Sequence, residues 1–211
     1  MAGMAEQAID EFLAVLDSKA AVPGGGGASA LVGAMAASLA GMVAHLTEGK
    51  KKYQEWWDEI PEWLAGAEKL RLELTALMDA DAEAFLPLSK AYGLPKDTEE
   101  EKAERERVME EALLTAAMPP LHMMEKTMEV IELLKILEVK GSTLAASDVA
   151  VAAEFANAAL RGAAMNIFIN TKMMKNREQA DALNQKALLM IEVGGTEARE
   201  ISKRIAGRFL A

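Results

Sequence analysis

An uncharged stretch from Ala28 to Leu46 constrains the fold of this chain more than any other feature of the sequence. It consists mainly of alanine, glycine and other small apolar residues, and it follows Pro23 and the glycine run Gly24–Gly27. Its length approaches that of a membrane-spanning helix. However, it contains two serines and a histidine and lies in an otherwise amphipathic chain. We therefore predict a buried helix against which other helices pack closely, and no association with a membrane.

The remaining sequence predicts an all-α fold. Hydrophobic residues make up 51% of the 211 residues, aromatic residues only 5%, and 14 residues are methionine. Such a composition favours closely packed helices, and no stretch alternates as a strand does. We predict one domain, residues 1–211, forming a bundle of about six or more helices. The first predicted helices are Met4–Ser18, Ala28–Leu46 and Pro61–Ala91. A charged helix then begins after Asp97 or Thr98, Pro119 and Pro120 break or kink it, and Leu121–Val139 follows. The last two helices are one that begins near Ser147 and Asp148 and one that ends at Phe209 and is interrupted near Gly194 and Gly195.

The charge and residue content limit the partners and the chemistry. The net charge is −10, whereas nucleic-acid binding needs a basic surface, so we predict no nucleic-acid partner. The lack of cysteine excludes a thiol nucleophile and thiolate metal sites and fits a cytoplasmic location. The first residues do not have the pattern of a signal peptide. His45 stands alone, and His122 with Glu125 lacks the paired motifs of a di-iron bundle, so we predict no metal.

The glycine run Gly24–Gly27 has two interpretations. Glycine is used where another group must approach the backbone closely, and the start of the following helix has free N–H groups and a positive dipole. These features favour a loop that binds a ligand at a helix start. The alternative is an ordinary turn before a helix, and the stretch lacks the motifs of known phosphate-binding loops.

Asp81 is the most informative single residue of the sequence. At about 100° per residue, the apolar positions of the helix Pro61–Ala91 cluster on one face, and Asp81 falls in the middle of that face. Asp79 falls about 160° away, toward solvent. A carboxyl group on an apolar face must be paired, hydrogen-bonded or shifted in pKa. Asp81 is therefore either a functional acid or a buried structural acid bonded to a neighbouring helix end.

Three further groups of polar residues have both functional and structural interpretations. The lysines Lys50–Lys52 follow a helix end, where they form either a solvated turn or a clamp for an acidic ligand. Asn166 and Asn170 lie one turn apart and can bond one ligand or one neighbouring backbone. Asp148 is either an N-cap or a ligand-binding residue. At about 1.5 Å per residue it lies about 27 Å from Asn166, too far for both to serve one site within one chain.

Several motifs, taken in order, resemble those of the cyclodeaminase/cyclohydrolase family of folate enzymes, which includes the C-terminal half of formiminotransferase-cyclodeaminase. They are PGGGG-x-SAL from Pro23, GKKKY from Gly49, DADAEAF from Asp79, LPK from Leu94, SDVAVAAE from Ser147 and NIFIN from Asn166. The resemblance covers about residues 6–209. Two positions depart from the family pattern: Gly27 stands where the family usually has serine, and Ser142 stands where it usually has asparagine.

The resemblance implies an all-α homodimer that acts on a tetrahydrofolate carrying a one-carbon unit, with no cofactor besides this substrate. It implies a cyclodeaminase, which converts 5-formiminotetrahydrofolate to 5,10-methenyltetrahydrofolate and ammonia. The alternative within the family is a methenyltetrahydrofolate cyclohydrolase, and the rival outside it is a non-catalytic helical scaffold. Asp81 corresponds to the catalytic acid of the family. The candidate substrate-binding residues are Gly24, Gly25, Gly26 and Gly27 near the ring, Asn166 and Asn170 at the pterin or amide, Lys50, Lys51, Lys52 and Lys96 at the glutamate tail, and Asp148.

Overall fold

The computed structural model describes residues 3–211 and confirms the all-α prediction, with no strand in that range. It contains six α-helices and three short 3-10 helices. The α-helices are α1 (Ile9–Leu16), α2 (Gly25–Thr47), α3 (Ile60–Ala91), α4 (Glu99–Lys140), α5 (Ala146–Met173) and α6 (Arg177–Leu210), and the 3-10 helices are Met4–Glu6, Lys51–Trp56 and Thr143–Ala145.

Helices α2 to α5 form a bundle, and α6 packs on its outside against α5 and α4. Helix α2 lies between α3 and α5, and the alanines along its inner side are fully buried. Such small side chains let the neighbouring helices approach closely and bury their larger residues against it. Leu74 of α3, Leu134 of α4 and Leu160 of α5 are completely shielded from solvent in this core.

The bundle has two ends of different construction. At the glycine end, where α2 begins, the other helices continue past it and close a second, smaller core that includes Leu88, Leu113 and Met174. At the lysine end, α2 stops at Thr47 and the chain runs through Lys50–Lys52 into α3. Because α2 begins short of the second core, a space remains between its first turn and α3, α4 and α5.

The glycine run is helical rather than a loop, which corrects the sequence prediction. Gly24 is the extended N-cap residue, and Gly25, Gly26 and Gly27 form the first turn of α2. Glycine is disfavoured within helices, but at the first turn the packing of neighbouring groups against the backbone can offset that cost.

Two predicted interruptions of the long helices are wrong. Helix α4 runs through Pro119 and Pro120, and both prolines are buried between its neighbours. Tertiary packing on several sides holds this helix together despite the missing backbone donors. Helix α6 likewise runs through Gly194 and Gly195. A Cβ atom on Gly194 would overlap the Met128 sulfur, so glycine serves the close approach of α4 and α6 there.

The N-terminal segment also differs from the prediction of one helix from Met4 to Ser18. A 3-10 helix, Met4–Glu6, precedes the short helix α1. The Met4 N–H donates to the carboxylate of Asp79 over 2.9 Å. Asp79 is therefore half-buried under the N-terminal segment instead of facing solvent as the helical projection predicted.

The predicted helix starts are partly confirmed. The Thr98 hydroxyl accepts a hydrogen bond from the Glu101 N–H at the start of α4, and Glu101 completes a capping box. Helix α5 begins at Ala146 with Ala145 as its N-cap, so Asp148 lies in its first turn and is not the N-cap. A carboxylate there still stabilises the positive end of the helix.

Candidate active site

A pocket of about 200 Å³ lies at the glycine end, in the space that remains because α2 begins short of the second core. It brings together three groups of residues that the sequence singled out: the glycine run, Asp81 and the two asparagines of α5. The pocket is lined by Ala21, Val22, Gly24, Gly25, Gly26, Asp81, Phe85, Ala116, Asn166, Ile169 and Asn170.

The carboxyl group of Asp81 points at the first turn of α2. Burial raises the pKa of Asp81 from its ordinary value of 3.8 to about 6, and the backbone N–H of Gly27 opposes this shift by stabilising the charged form. Desolvation disfavours the ionised carboxylate more than one backbone donor favours it. Asp81 can therefore gain and lose a proton near neutral pH, as a general acid or base requires.

The glycines differ in what a side chain would meet. A Cβ atom on Gly26 would overlap both carboxylate oxygens of Asp81. A Cβ atom on Gly25 would lie 3.6 Å from the Asn166 amide, and one on Gly24 would have no heavy atom within 4 Å. Gly26 is thus the position at which the missing side chain lets Asp81 reach the start of α2.

The two asparagines give the pocket an amide wall on α5. The Asn166 Nδ2 donates to the Gly162 carbonyl over 3.0 Å, which fixes the orientation of this amide. Asn170 lies one turn further along the same wall. Together they offer donors and acceptors to a heterocyclic or amide ligand.

The three lysines lie at the opposite end of α2. Their separation from the glycine run is about 33 Å, at about 1.5 Å per helical residue. The Lys50 Nζ donates to the Ser142 hydroxyl over 3.1 Å, and the Lys52 Nζ donates to the Thr143 hydroxyl over 3.1 Å. Lys51 is exposed. These lysines therefore do not reach the Asp81 pocket of their own chain.

Lys96 and Asp148 also lie outside the pocket. Lys96 is exposed in the connection between α3 and α4, beyond the end of α3. Asp148 lies near the lysine end, in the first turn of α5. The two departures from the family pattern are likewise separated. Gly27 adjoins Asp81, whereas Ser142 is buried at the lysine end, where its N–H donates to Thr47.

Several pocket residues were missed from sequence. Phe85 was assigned to the apolar face of the helix Pro61–Ala91, and Ile169 was given no role, but Phe85 lies one turn after Asp81, and Ile169 lies beside Asn170. Their closeness in sequence to Asp81 and Asn170 could have indicated that they lie at the same site. Ala116 had no such signal, because only the packing of α4 brings it to the pocket. Since Pro120 has no N–H, the carbonyl of Ala116 lacks its intrahelical donor at this wall.

The remaining clusters are less suited to chemistry. Residues 3–211 contain no group of three or more potential ligands that could hold a metal ion. Glu125 pairs with Lys186 over 2.5 Å instead of acting with His122. A larger groove of about 720 Å³ lies between α2 and α3, but its walls are mainly apolar and its charged residues, Glu68 and Arg71, lie within 4.0 Å of each other.

The matches with known proteins cover nearly the whole chain. The family described as formiminotransferase-cyclodeaminase matches residues 8–188. Methenyltetrahydrofolate cyclohydrolase from Methylorubrum extorquens is 44% identical over 200 residues, which are 94% of this chain and 95% of that protein. Formimidoyltransferase-cyclodeaminase from Sus scrofa is 30% identical over 93% of this chain, which spans 36% of that longer protein.

A solved structure has the same fold. The formiminotetrahydrofolate cyclodeaminase of Thermotoga maritima superposes with a TM-score of 0.81 at 28% identity, covering 96% of this chain and 98% of that one. These relatives are named as enzymes, which sets aside the scaffold alternative. From its sequence, its fold and these matches, the chain belongs to the formiminotransferase-cyclodeaminase family of enzymes.

Proposed function

We propose that this protein is a methenyltetrahydrofolate cyclohydrolase, which converts 5,10-methenyltetrahydrofolate to 10-formyltetrahydrofolate. The half-buried Asp81, held against the start of α2 with a pKa of about 6, is the observation that carries the chemistry. The choice of reaction rests on the 44% identity to a cyclohydrolase over nearly both full lengths. This comparison favours the cyclohydrolase over the cyclodeaminase that was the main expectation from sequence.

In the first step of the proposed reaction, the Asp81 carboxylate takes a proton from a water molecule as that water attacks the methenyl carbon. The negative carboxylate also faces the positive charge that the substrate carries across this carbon and its two nitrogens. The product of the step is a neutral tetrahedral centre with one hydroxyl group. A carboxylate with a pKa near 6 is ionised at neutral pH and can act as this base.

In the second step, the bond between the carbon and N5 breaks. The protonated Asp81 gives its proton to N5, and the hydroxyl group releases its proton to solvent as the formyl carbonyl forms. One water is consumed and one proton is released, which balances the conversion of a cation to a neutral product. Asp81 returns to its ionised form, and no other cofactor enters the proposal.

The pocket supports binding of the reacting part of the substrate. Asn166 and Asn170 can bond the pterin ring, and the small first turn of α2 leaves room for a flat group beside Asp81. The volume of about 200 Å³ is below the roughly 300–1,000 Å³ of typical ligand sites. The rest of the folate must therefore extend out of the pocket. A homodimer and a cytoplasmic location remain predictions.

The absorbance of the methenyl chromophore tests the proposal. Purified protein is mixed with 5,10-methenyltetrahydrofolate, and loss of absorbance above the buffer rate, without ammonia, is the expected result. Asp81→Asn should remove the enzymatic rate, whereas Asp79→Asn, outside the pocket, should retain it. No loss of absorbance with folded wild-type protein would contradict the cyclohydrolase.

The cyclodeaminase is the second candidate, because the structure with a TM-score of 0.81 bears that name. In that reaction Asp81 would take the proton from N10 and give one to the departing ammonia. The same assay started from 5-formiminotetrahydrofolate separates the two. Appearance of the chromophore with stoichiometric ammonia would establish the cyclodeaminase instead.

A further inference from the structure

We propose that the backbone carbonyl of Ala116 accepts a hydrogen bond from the 2-amino group of the pterin ring, and so selects ligands that carry an N–H donor at this position. The identity of the donor rests on the proposed function. The free acceptor follows from the two prolines within α4 and from the place of Ala116 in the pocket wall.

The two prolines leave the Ala116 carbonyl without a helical donor. In an α-helix this carbonyl accepts from the N–H four residues later, and in a tighter 3-10 turn from the N–H three residues later. Those positions are Pro120 and Pro119, and proline has no N–H. The carbonyl of Thr115 loses only the first of these donors, because Met118 lies three residues after it. In the interior of α4, Ala116 is therefore the position at which both backbone donors are missing.

The hydroxyl groups of α4 donate to other carbonyls. Thr115 and Thr127 carry the only two hydroxyl groups of this helix. The Thr115 hydroxyl donates to the Glu111 carbonyl over 2.9 Å. The Thr127 hydroxyl donates to the Met123 carbonyl over 2.7 Å. Neither hydroxyl is therefore the donor for Ala116.

Ala116 is the residue of α4 that lies in the wall of the Asp81 pocket, and it is only 5% exposed. A buried carbonyl needs a hydrogen-bond partner. Because the pocket is the open space beside Ala116, the partner is a donor of whatever enters the pocket. The ring of Pro120 supports this, since a proline ring crowds the carbonyl four residues before it and displaces it from its place in a straight helix.

The shape of the substrate indicates which donor reaches Ala116. The one-carbon unit between N5 and N10 must meet Asp81. The folate beyond N10 must extend out of the pocket, because the pocket volume is only about 200 Å³. The pyrimidine edge of the pterin lies at the opposite end of the ring from N10, so it enters the pocket first. The 2-amino group is the outermost N–H donor of that edge.

This hydrogen bond contributes to binding and specificity and not to the chemical step. The 2-amino group is remote from the methenyl carbon, so the bond is equally strong in the substrate complex and in the transition state. An interaction of this kind lowers KM and leaves kcat unchanged. The Ala116 carbonyl and Asp81 therefore have separable effects on the kinetics.

Pro120→Ala tests the free carbonyl. The new N–H donates to the Ala116 carbonyl and restores the helical hydrogen bond. The KM for 5,10-methenyltetrahydrofolate should therefore rise about fivefold, with kcat unchanged. Pro119→Ala is the matched control, because it replaces the adjacent buried proline but restores the donor of Thr115, which lines a different groove. This control should keep the wild-type KM. Equal KM values for the two variants would overturn the proposal.

A pair of ligands tests the same contact without turnover. 5-Formyltetrahydrofolate has the 2-amino group, and its 2-desamino-2-methyl analogue has a methyl group there, which cannot donate. In equilibrium dialysis, wild type should bind the first about five- to tenfold more tightly, because the methyl group leaves the carbonyl unpaired. Pro120→Ala should bind the two ligands nearly equally, and Pro119→Ala should keep the wild-type ratio. Equal binding of both ligands by wild type would overturn the proposal, as would a Pro120→Ala variant that weakens both ligands alike.

A backbone ester tests the acceptor with both prolines in place, and it decides the proposal if a proline variant does not fold. Lactic acid incorporated in place of Ala117 converts the Ala116 carbonyl to an ester, which is a weaker acceptor. The preference for the 2-amino ligand should then fall about threefold. Lactic acid in place of Ala112, which alters the Glu111 carbonyl one turn earlier, is the control and should keep the preference. An unchanged preference in the first ester would overturn the proposal.

The two assays separate this proposal from the proposed function. If wild type binds 5-formyltetrahydrofolate but has no cyclohydrolase activity, the proposed function fails and the ligand preference still decides the role of Ala116. If wild type has the activity but binds both ligands equally, the role of Ala116 fails and the proposed function stands. If it neither binds nor reacts, both are wrong.

Discussion

The two ends of α2 have opposite effects on the ionisation of the acidic group that lies there. At the glycine end, a single carboxyl group is withdrawn from water without a cationic partner, and the pKa of Asp81 rises to about 6. At the lysine end, burial would raise the pKa of Tyr53, but hydrogen bonds with Thr143 and Ser142 and the charge of Lys52 lower it to about 8. The first end is suited to moving a proton, whereas the second favours the ionised form of a phenol.

The largest effect should come from removing the proton carrier at the glycine end. Asp81→Asn keeps the shape but cannot act as a base, so kcat should fall by about 10³-fold. Turnover of 5,10-methenyltetrahydrofolate measures this, with Asp79→Asn as the control that keeps its rate. Full turnover by the Asp81 variant would contradict the assignment of proton transfer to the glycine end.

Asp81→Asn should also raise the free energy of unfolding, because folding partly removes the Asp81 carboxyl group from water. Between about pH 4 and pH 6 the native carboxyl keeps a proton that the unfolded chain has released, so the free energy of unfolding falls as pH rises. Above this window the loss amounts to about 3 kcal/mol. Asp81→Asn should therefore be more stable than wild type by about 2 to 3 kcal/mol at pH 8 in urea titrations, and nearly equal below pH 4. A less stable variant at pH 8 would indicate a structural acid.

Gly26→Ala sharpens the comparison by displacing Asp81 without removing it. The new Cβ would overlap the carboxylate oxygens, and a small misplacement of a catalytic group can cost about 10²-fold in kcat. Gly66→Ala in α3 is the matched control, since its Cβ would have no heavy atom within 4 Å. The control should keep wild-type kinetics. Equal kinetics for both variants would contradict the close approach.

The smallest effect is expected at the lysine end. Tyr53→Phe removes the hydroxyl that accepts the Thr143 N–H over 2.9 Å, which should lower the free energy of unfolding by about 1 to 2 kcal/mol. It should also remove the phenol that titrates near pH 8 in an ultraviolet absorbance titration. A titration unchanged by this substitution would show that the network does not perturb Tyr53.

The helical fold and the position of Asp81 on the packed side of α3 could be predicted from sequence because both depend on local periodicity. The position of Asp81 on an apolar face follows from the rise and turn of one helix. Asp79 was misplaced, because its partner, the Met4 N–H, lies far away in sequence. The helical state of Gly25–Gly27 was missed for a related reason, since glycine alone disfavours a helix and the packing of Asp81 is tertiary.

The breaks predicted at Pro119 and Gly194 failed because local propensity was weighed without the neighbouring helices. In both places buried contacts with other helices keep the backbone helical. The separation of the lysines from the pocket was missed although the predicted helix Ala28–Leu46 already lies between the two motifs. The length of α2 shows that its two ends are remote within one chain.

The late start of α2, relative to the helices around it, gives this fold a simple way to vary its cavity. The pocket exists because one helix omits turns that its neighbours retain. No core side chain has to be replaced by a smaller one to create it. Each residue added before Gly25 would advance the helix by about 1.5 Å into that space. Lengthening or shortening this one helix at its start would therefore change the volume of the pocket and leave the surrounding helices unchanged. Protein designers can set that volume by inserting or deleting residues before Gly25.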